Sequence, residues 1–423
     1  MTRHAQTRTK EVVTARVVPK NLALESLLRP SAVEHMQRTG IDAWYTFHIP
    51  HSTPNPTALR LFRAIGIKNL TAPVMGFVYP DRIPVLIVAG LEEAHYKYFS
   101  KYGEVIVVNS RAELEIALKR GMEDCRKIAL EYDEGLIATS HSIIPASLLD
   151  LIRRSAEIAV VSSGDLIQAQ IAVLSKEGLA SHERAANIIT GFIKEAFAFI
   201  SSRVGRVTEY EVQQFLANKF TEAKLTCEGE PPIVAVNANA ANPHYALKAE
   251  GSAVIKRGDL VLFDFWAREA GNPEAIYADL GWMAYVGKKL PPTYARAFHT
   301  LLNARDAALE HMQNLLTHGH PLEPFQIDSV ARNIITDAGY PNYPHSTGHS
   351  ITTLVHGEGV TVGPSTSYRG VDRRLLLPGC LVSDEPGIYV KGRYGMRIES
   401  DIYVDPVKGP RVTSEIQREM VLI

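Results

Sequence analysis

The strongest constraint on this chain is a pair of acidic residues set inside two apolar strands. The stretches Leu260–Ala267 and Ile276–Val286 are both rich in aromatic and β-branched side chains, the composition of strands. Between them, Glu269-Ala270-Gly271-Asn272-Pro273 is a turn signal. The whole of Gly258–Gly287 therefore reads as a β-hairpin. Asp264 lies seven residues before Gly271, and Asp279 seven after Asn272. A hairpin centred between them sets the two carboxylates opposite each other on one face. Like charges so placed repel, and an apolar setting deepens the cost. A divalent cation compensates both effects. The competing reading is two carboxylates on a solvated sheet edge.

The rest of the chain narrows the classes open to it. Its 423 residues suit two or three domains. A hydrophobic content of 46% with 22% charge is that of a globular protein. The net charge is -1 and no single-sign block occurs, so nothing points to nucleic acid or a membrane surface as partner. No apolar run approaches the ~20 residues of a membrane span. Cys125, Cys227 and Cys380 are odd in number and far apart. They form neither a disulfide framework nor a cysteine zinc site, and a reducing compartment, the cytoplasm, is expected. Residues 1–20 are polar and basic (Arg3, Arg8, Lys10, Arg16, Lys20) and lack the apolar core of a secretory signal. They read as a disordered tail.

Residues 21–165 alternate short apolar runs with helical patterns, which predicts an α/β domain. The strands expected are Ala43–Phe47, Val74–Tyr79, Val85–Val88, Val105–Val108, Ile128–Glu131 and Ile158–Val161. The helices expected are Leu91–Lys101, Arg111–Glu123 and Ile144–Ile152. From residue 166 the character changes, and 166–423 reads as a second domain. Ser175 can cap a helix with Glu177 in its first turn. Helical spacing follows over Leu179–Ile200 and Tyr210–Phe220. His182-Glu183 opens like the zinc-helix motif HExxH, but Ala186 stands where the second histidine must be, so an exposed helix face is the better account. Beyond Pro232 the chain is strand-like, interrupted by helices at Pro292–Leu315 and Ile327–Ala338. Gly357-Glu358-Gly359 lacks the third glycine and the strand-to-helix context of a nucleotide loop.

Four further segments carry chemistry-type residues. Val234–Tyr245 is a small-residue loop containing His244. His345–His356 holds three histidines spaced four and seven apart. Ser383–Tyr389 reads as a strand stopped by Pro386-Gly387, with Glu385 before the stop. Gly395–Val404 reads as a strand with Arg397, Glu399 and Asp401 on one face. Each segment alone has an ordinary structural explanation. Together they place four carboxylates and several histidines in apolar contexts of one domain. Hard divalent cations want oxygen donors, and an added imidazole widens the choice to Mn, Co, Fe or Zn. Four carboxylates offset two divalent charges. No GxSxG elbow occurs, and Cys227 and Cys380 have no evident paired base.

With these five segments assembled, the sequence resembles the pita-bread metallopeptidase family, which includes Xaa-Pro aminopeptidases, prolidases and methionine aminopeptidases. The family's ligand order matches Asp264, Asp279, His349, Glu385 and Glu399. The resemblance implies an α+β architecture over 166–423, a curved antiparallel sheet with flanking helices. It also implies a creatinase-like α/β N-terminal domain over 21–165, the mark of the proline-specific branch. It implies two divalent cations per chain, with manganese first and Co, Zn or Fe as alternatives. Asp279 and Glu399 would bridge them, Asp264 would hold one, and His349 and Glu385 the other. A metal-bridging hydroxide would attack the scissile carbonyl of a short Xaa-Pro peptide, with Glu385 as proton shuttle. His244 and His356 would contact substrate and stabilise the tetrahedral intermediate. His345 and Arg397 would orient the ligands, with His345 also lining the substrate site. A homodimer or homotetramer is the assembly expected.

The sequence departs from the family pattern at several points. The two aspartates are further apart than usual. Gly281 stands where a threonine is usual, two residues after the second aspartate. Thr352 or Thr353 replaces a glycine after His349, and Gly357 replaces an acidic residue, with Glu358 one place later. All lie where substrate is held and none removes a ligand. A metal-dependent lyase or hydrolase of a small non-peptide substrate on the same fold, and a non-catalytic binding module, stand as alternatives.

Overall fold

The computed structural model describes residues 27–50, 55–64, 72–92, 99–133, 142–366 and 370–423. The chain divides between Gln170 and Ile171 into two compact units. The expected tail, residues 1–20, lies outside the described residues.

In the first unit a mixed six-stranded sheet runs in the order β4-β3-β2-β1-β5-β6. Its strands are β1 Ala43–His48, β2 Val74–Val78, β3 Val85–Ala89, β4 Glu104–Val108, β5 Lys127–Leu130 and β6 Ala159–Ser162. All six fall where apolar runs predict them. β1, β2 and β3 pair antiparallel, and the flanking β3–β4, β1–β5 and β5–β6 pairs are parallel. The helices Arg111–Gly121 and Ala146–Ser155 close one core with Tyr45, Phe47, Phe77 and Leu130. Helices at Pro30–Thr39 and Pro56–Ala64 are additions to the expected set. Of the helix expected at Leu91–Lys101, residues 93–98 lie outside the described residues, and the ends are single 3-10 turns, Gly90–Glu92 and Phe99–Lys101.

The second unit begins with the helix Lys176–Ser201, capped as predicted by Ser175, whose hydroxyl accepts from the Gly178 amide at 3.0 Å. Thr208 and Glu211 form a reciprocal capping box at the head of Glu209–Glu222. Both helices cover one face of a sheet built on β9 Leu260–Glu269 and β10 Ala278–Tyr285. Phe197 stacks on Phe263 at 4.6 Å, and Phe220 meets Phe265 edge-on. β7 Leu225–Thr226 and β8 Ile233–Val236 pair with β9, and β18 Val421–Leu422 with β10. The other face of the sheet, with Leu260, Leu262 and Met283, joins a second core. That core includes the helices Pro292–Thr317 and Pro324–Asp337 and the strands β13 Leu381–Asp384, β14 Gly387–Val390, β15 Tyr394–Arg397 and β16 Ser400–Asp405. Two short strands, β11 Gly348–His349 and β12 Thr361–Val362, pair with each other, and β17 Gly409–Val412 extends the β13–β16 pair.

The hairpin is present with a register different from the symmetric one. Asp264 pairs with Gly281, and Asp279 pairs with Trp266. The first arm runs two residues beyond its pairing with β10, and Arg268 and Glu269 bond instead to Thr226 and Leu225. The turn is therefore lopsided, and the carboxylates are diagonal rather than opposite. A shift of two residues keeps a side chain on its face, so both still point the same way. The segment read as one strand over Gly395–Val404 is two, β15 and β16, with Ile398 and Glu399 between them. Pro386 breaks β13 from β14, and the strand resumes at Gly387.

Candidate metal centre

Asp264 and Asp279 stand on the face of β9–β10 turned away from the helices Lys176–Ser201 and Glu209–Glu222, 6% and 4% exposed. Glu399 is brought beside them by a two-bond bridge to β10, with Glu399 N donating to Gly281 O at 2.9 Å and Gly281 N to Glu399 O at 3.3 Å. A Cβ on residue 281 would lie 2.9 Å from Glu399 Cβ. Glycine at 281 is thus the condition for this close approach, which answers the departure from the expected threonine. Gly281→Ala is expected to cost roughly 1–3 kcal/mol by overpacking, read by calorimetry, and to loosen cation binding by displacing Glu399.

His349 and Glu385 enter from the opposite side. The Ser383 hydroxyl accepts from the His349 amide at 3.0 Å and donates to Glu385 Oε1 at 3.2 Å, tying the two together. A Cβ on Gly348 would lie 1.9 Å from Ser383 O, so this contact too needs glycine. The Nδ1 of His349 lies 3.3 Å from Ser350 O, which places the ring proton there. Its Nε2 is left to face Glu385 Oε1 at 3.4 Å and Asp279 Oδ2 at 3.6 Å. One ligand-type atom each from Asp279, His349 and Glu399 lies within 4.8 Å of the others. Arg397 forms an ion pair with Asp264, donates to Tyr389 OH at 3.1 Å and lies 3.9 Å from Glu385. His345 Nε2 lies 2.8 Å from Tyr389 OH, and its Nδ1 is 4.0 Å from Glu385 Oε2. His244 and His356 are exposed, with the His356 ring 4.4 Å from that of His349. Eight of the nine residues singled out from the sequence are joined by these contacts, and His244 acts on His345 and His356 electrostatically.

The electrostatics are those of a site short of positive charge. Burial, then Asp264, Asp401 and Glu385, hold the Asp279 carboxyl well above its usual range. Burial, then Asp279 and Glu385, do the same to Glu399. Glu385 is pushed up to about 8 by burial, against the relief of Arg397. Burial, then His356, pushes His349 down to about 3, so its imidazole is neutral. Among the described residues, no donor reaches the buried Asp279 Oδ1. Buried carboxylates, an orphaned oxygen and a neutral imidazole nitrogen aimed among them fit a divalent cation.

Several residues at the site carry no sequence signal of their own. Ser383 and Tyr389 are ordinary strand residues, and Thr413 follows directly on β17. Asp401, read on a charged strand face, is fully buried and accepts from the Asp279 amide at 2.9 Å. The exposed-face account of His182-Glu183 holds only for Glu183, which is partly exposed and pairs with Arg411. His182 is fully buried, because the Lys176–Ser201 helix turns that face onto the sheet. The departures at 352 and 357 prove complementary. Thr352 Oγ1 donates to Glu358 Oε2 at 2.8 Å, and both residues are buried. A Cβ on Gly357 would lie 2.7 Å from Thr352 Cγ2, so the glycine makes room for the threonine.

Residues 180–406 match the family model described as Metallopeptidase family M24. A Mycoplasma genitalium protein named, provisionally, as an Xaa-Pro aminopeptidase is 29% identical over 214 residues, which are 50% of this chain and 55% of that one. The match thus spans about half the length of that relative. Among solved structures, the dipeptidase PepE of Mycobacterium ulcerans superposes with a TM-score of 0.68 at 20% identity, covering 95% of this chain and 98% of that one. An X-prolyl aminopeptidase of Caenorhabditis elegans, described as a cytosolic enzyme with a di-nuclear active site, gives 0.60 at 18% identity and covers 98% of this chain and 67% of that one. These likenesses show the fold, including the N-terminal unit, to be that of the pita-bread peptidases.

Proposed function

Since the chain belongs to metallopeptidase family M24, we propose that it is a two-cation hydrolase that releases the N-terminal residue from Xaa-Pro peptides or splits Xaa-Pro dipeptides. The chemistry is assigned to residues 166–423, with 21–165 as a creatinase-like accessory domain. The observation that carries this reading is the buried carboxylate group around the neutral His349. Asp264, Asp279, His349, Glu385 and Glu399 would hold the cations. When bound, the pair supplies Lewis-acid polarisation of a carbonyl and a water of lowered pKa.

The chain's own residues do the rest. Ser383 fixes Glu385 Oε1, which leaves Oε2 to take a proton from the attacking water and return it to the leaving amine. Arg397 neutralises Asp264 and, through Tyr389, is linked to His345. His345 and Arg397 thereby orient the ligand side chains. His244 and His356, both exposed, would donate to the substrate carbonyl as it gains negative charge. A carboxylate-rich set with one imidazole favours manganese. A cytoplasmic location and a homodimer or homotetramer complete the reading, to be checked by cell fractionation and light scattering.

The test is metal analysis of the purified protein, joined to a cleavage screen of short peptides with and without proline after the first residue. Two cations per chain and metal-dependent release of the residue before proline are expected. A fully loaded protein inert on the whole panel would sink the peptidase reading. Gly281, which withholds a hydroxyl from the site, favours a second reading, a metal-dependent lyase of a small non-peptide substrate. That reading predicts the same metal content without peptide cleavage.

A further inference from the structure

Behind the carboxylates lies a histidine that the proposed chemistry does not use. His182 is fully buried on the helix Lys176–Ser201. Its Nδ1 is 2.7 Å from Tyr277 O, two residues before Asp279. A carbonyl only accepts, so Nδ1 carries the proton and Nε2 is the acceptor. Nε2 takes the Thr413 hydroxyl at 2.6 Å and lies 3.8 Å from Asp401 Oδ2. The Thr413 amide in turn donates to Asp401 O at 3.0 Å. Asp401 Oδ2 accepts from the Asp279 amide at 2.9 Å. One imidazole thus grips the start of the strand that carries Asp279. Through Thr413 it also holds the segment, two residues beyond Glu399, that carries Asp401. The same two chain segments are also joined by the Gly281–Glu399 bridge and by Tyr277 and Tyr403 in one apolar cluster.

We propose that His182 is a positioning residue for the cation pair. By joining Tyr277 O to Thr413, whose amide in turn donates to Asp401 O, it fixes the spacing of the Asp279 and Glu399 carboxylates that would hold the cations. The inference rests on the two-cation reading above. Groups one layer behind metal ligands set their aim, and losing one weakens metal binding by about 10–100-fold. An apolar side chain at 182 leaves the Thr413 hydroxyl and Tyr277 carbonyl to find other partners, and the two carboxylate-bearing segments are then free to drift apart.

The experiment is Co(II) titration of the metal-free full-length protein by calorimetry and by visible absorption. Wild type is compared with His182→Leu, His182→Asn and Thr413→Val. Wild type is expected to take two Co(II). His182→Leu is expected to bind one of them about 10–100-fold more weakly, with a changed d–d spectrum. His182→Asn, which keeps a donor for Tyr277 O, is expected to recover part of the affinity and the spectrum. Thr413→Val is expected to shift both in the same sense as His182→Leu. A folded His182→Leu with wild-type affinity and spectrum overturns the proposal. If His182→Leu does not fold, wild-type binding by both His182→Asn and Thr413→Val overturns it. Wild type that takes fewer than two Co(II) defeats the two-cation reading itself, a different outcome from two Co(II) with insensitive variants.

Discussion

Replacing Asp279 with alanine is expected to abolish both stoichiometric cation binding and peptide hydrolysis. Asp279 is the carboxylate nearest His349 Nε2 on the β10 side, and among the described residues its Oδ1 has no donor. Cation catalysis is worth several kcal/mol of barrier, so its loss lowers kcat/KM on the order of 10³-fold or more. Elemental analysis and steady-state kinetics check the two halves. An Asp279→Ala protein that retains two cations shows the site assignment to be wrong. The stability effect should run the other way in chelator. Asp264, Asp401 and Glu385 all press on the Asp279 carboxyl. An uncharged amide at 279 relieves that, so metal-free Asp279→Asn should melt above metal-free wild type.

Stripping the cations is expected to reverse the pH dependence of stability. In the metal-free fold Glu385 is pushed up to about 8 from an ordinary 4.5, and Asp279, Glu399 and Asp401 are raised in the same sense by burial. The folded chain then holds protons that the unfolded chain releases. Stability therefore falls as pH rises from about 4.5 and is lost as it passes about 8. With cations bound the same carboxylates are ionised in the fold, and stability rises with pH instead. Thermal scans in chelator and in excess Mn(II) should coincide most closely near pH 5. They should separate by at least about 5 °C at pH 8, since about 1 kcal/mol moves the Tm of a unit this size by roughly 2–4 °C. A chelator curve flat across that range would mean the carboxylates are not buried together.

Much of the chain was readable because burial leaves a signature in sequence. The first unit's six strands are short apolar runs with few competing interpretations. The helix Pro30–Thr39 escapes a reading from the sequence because it is short and buries Ala32 and Met36 alone, too few apolar positions to mark it out. At the site, Asp264, Asp279 and Glu399 stood out because charge inside apolar strands is anomalous. His182 and Thr413 did not, because a meeting 231 residues apart in sequence leaves no local trace. The hairpin's register was missed for a similar reason. Arg268 and Glu269 pair with a strand outside the hairpin, and turn symmetry carries no information about that.

The lopsided turn also divides the hairpin by its tolerance of change in length. Ala270, Gly271, Pro273 and Glu274 are exposed, whereas Ala275, Ile276 and Tyr277 are buried against their surroundings. One residue gained or lost inside either arm would turn its carboxylate toward the helices. The same event at the exposed tip would disturb the Arg268–Asn272 hydrogen bond and leave the register of the arms unchanged. Descendants of this sequence are free to lengthen or shorten that tip, and a reporter peptide grafted at Gly271–Pro273 should leave the two aspartates where they are.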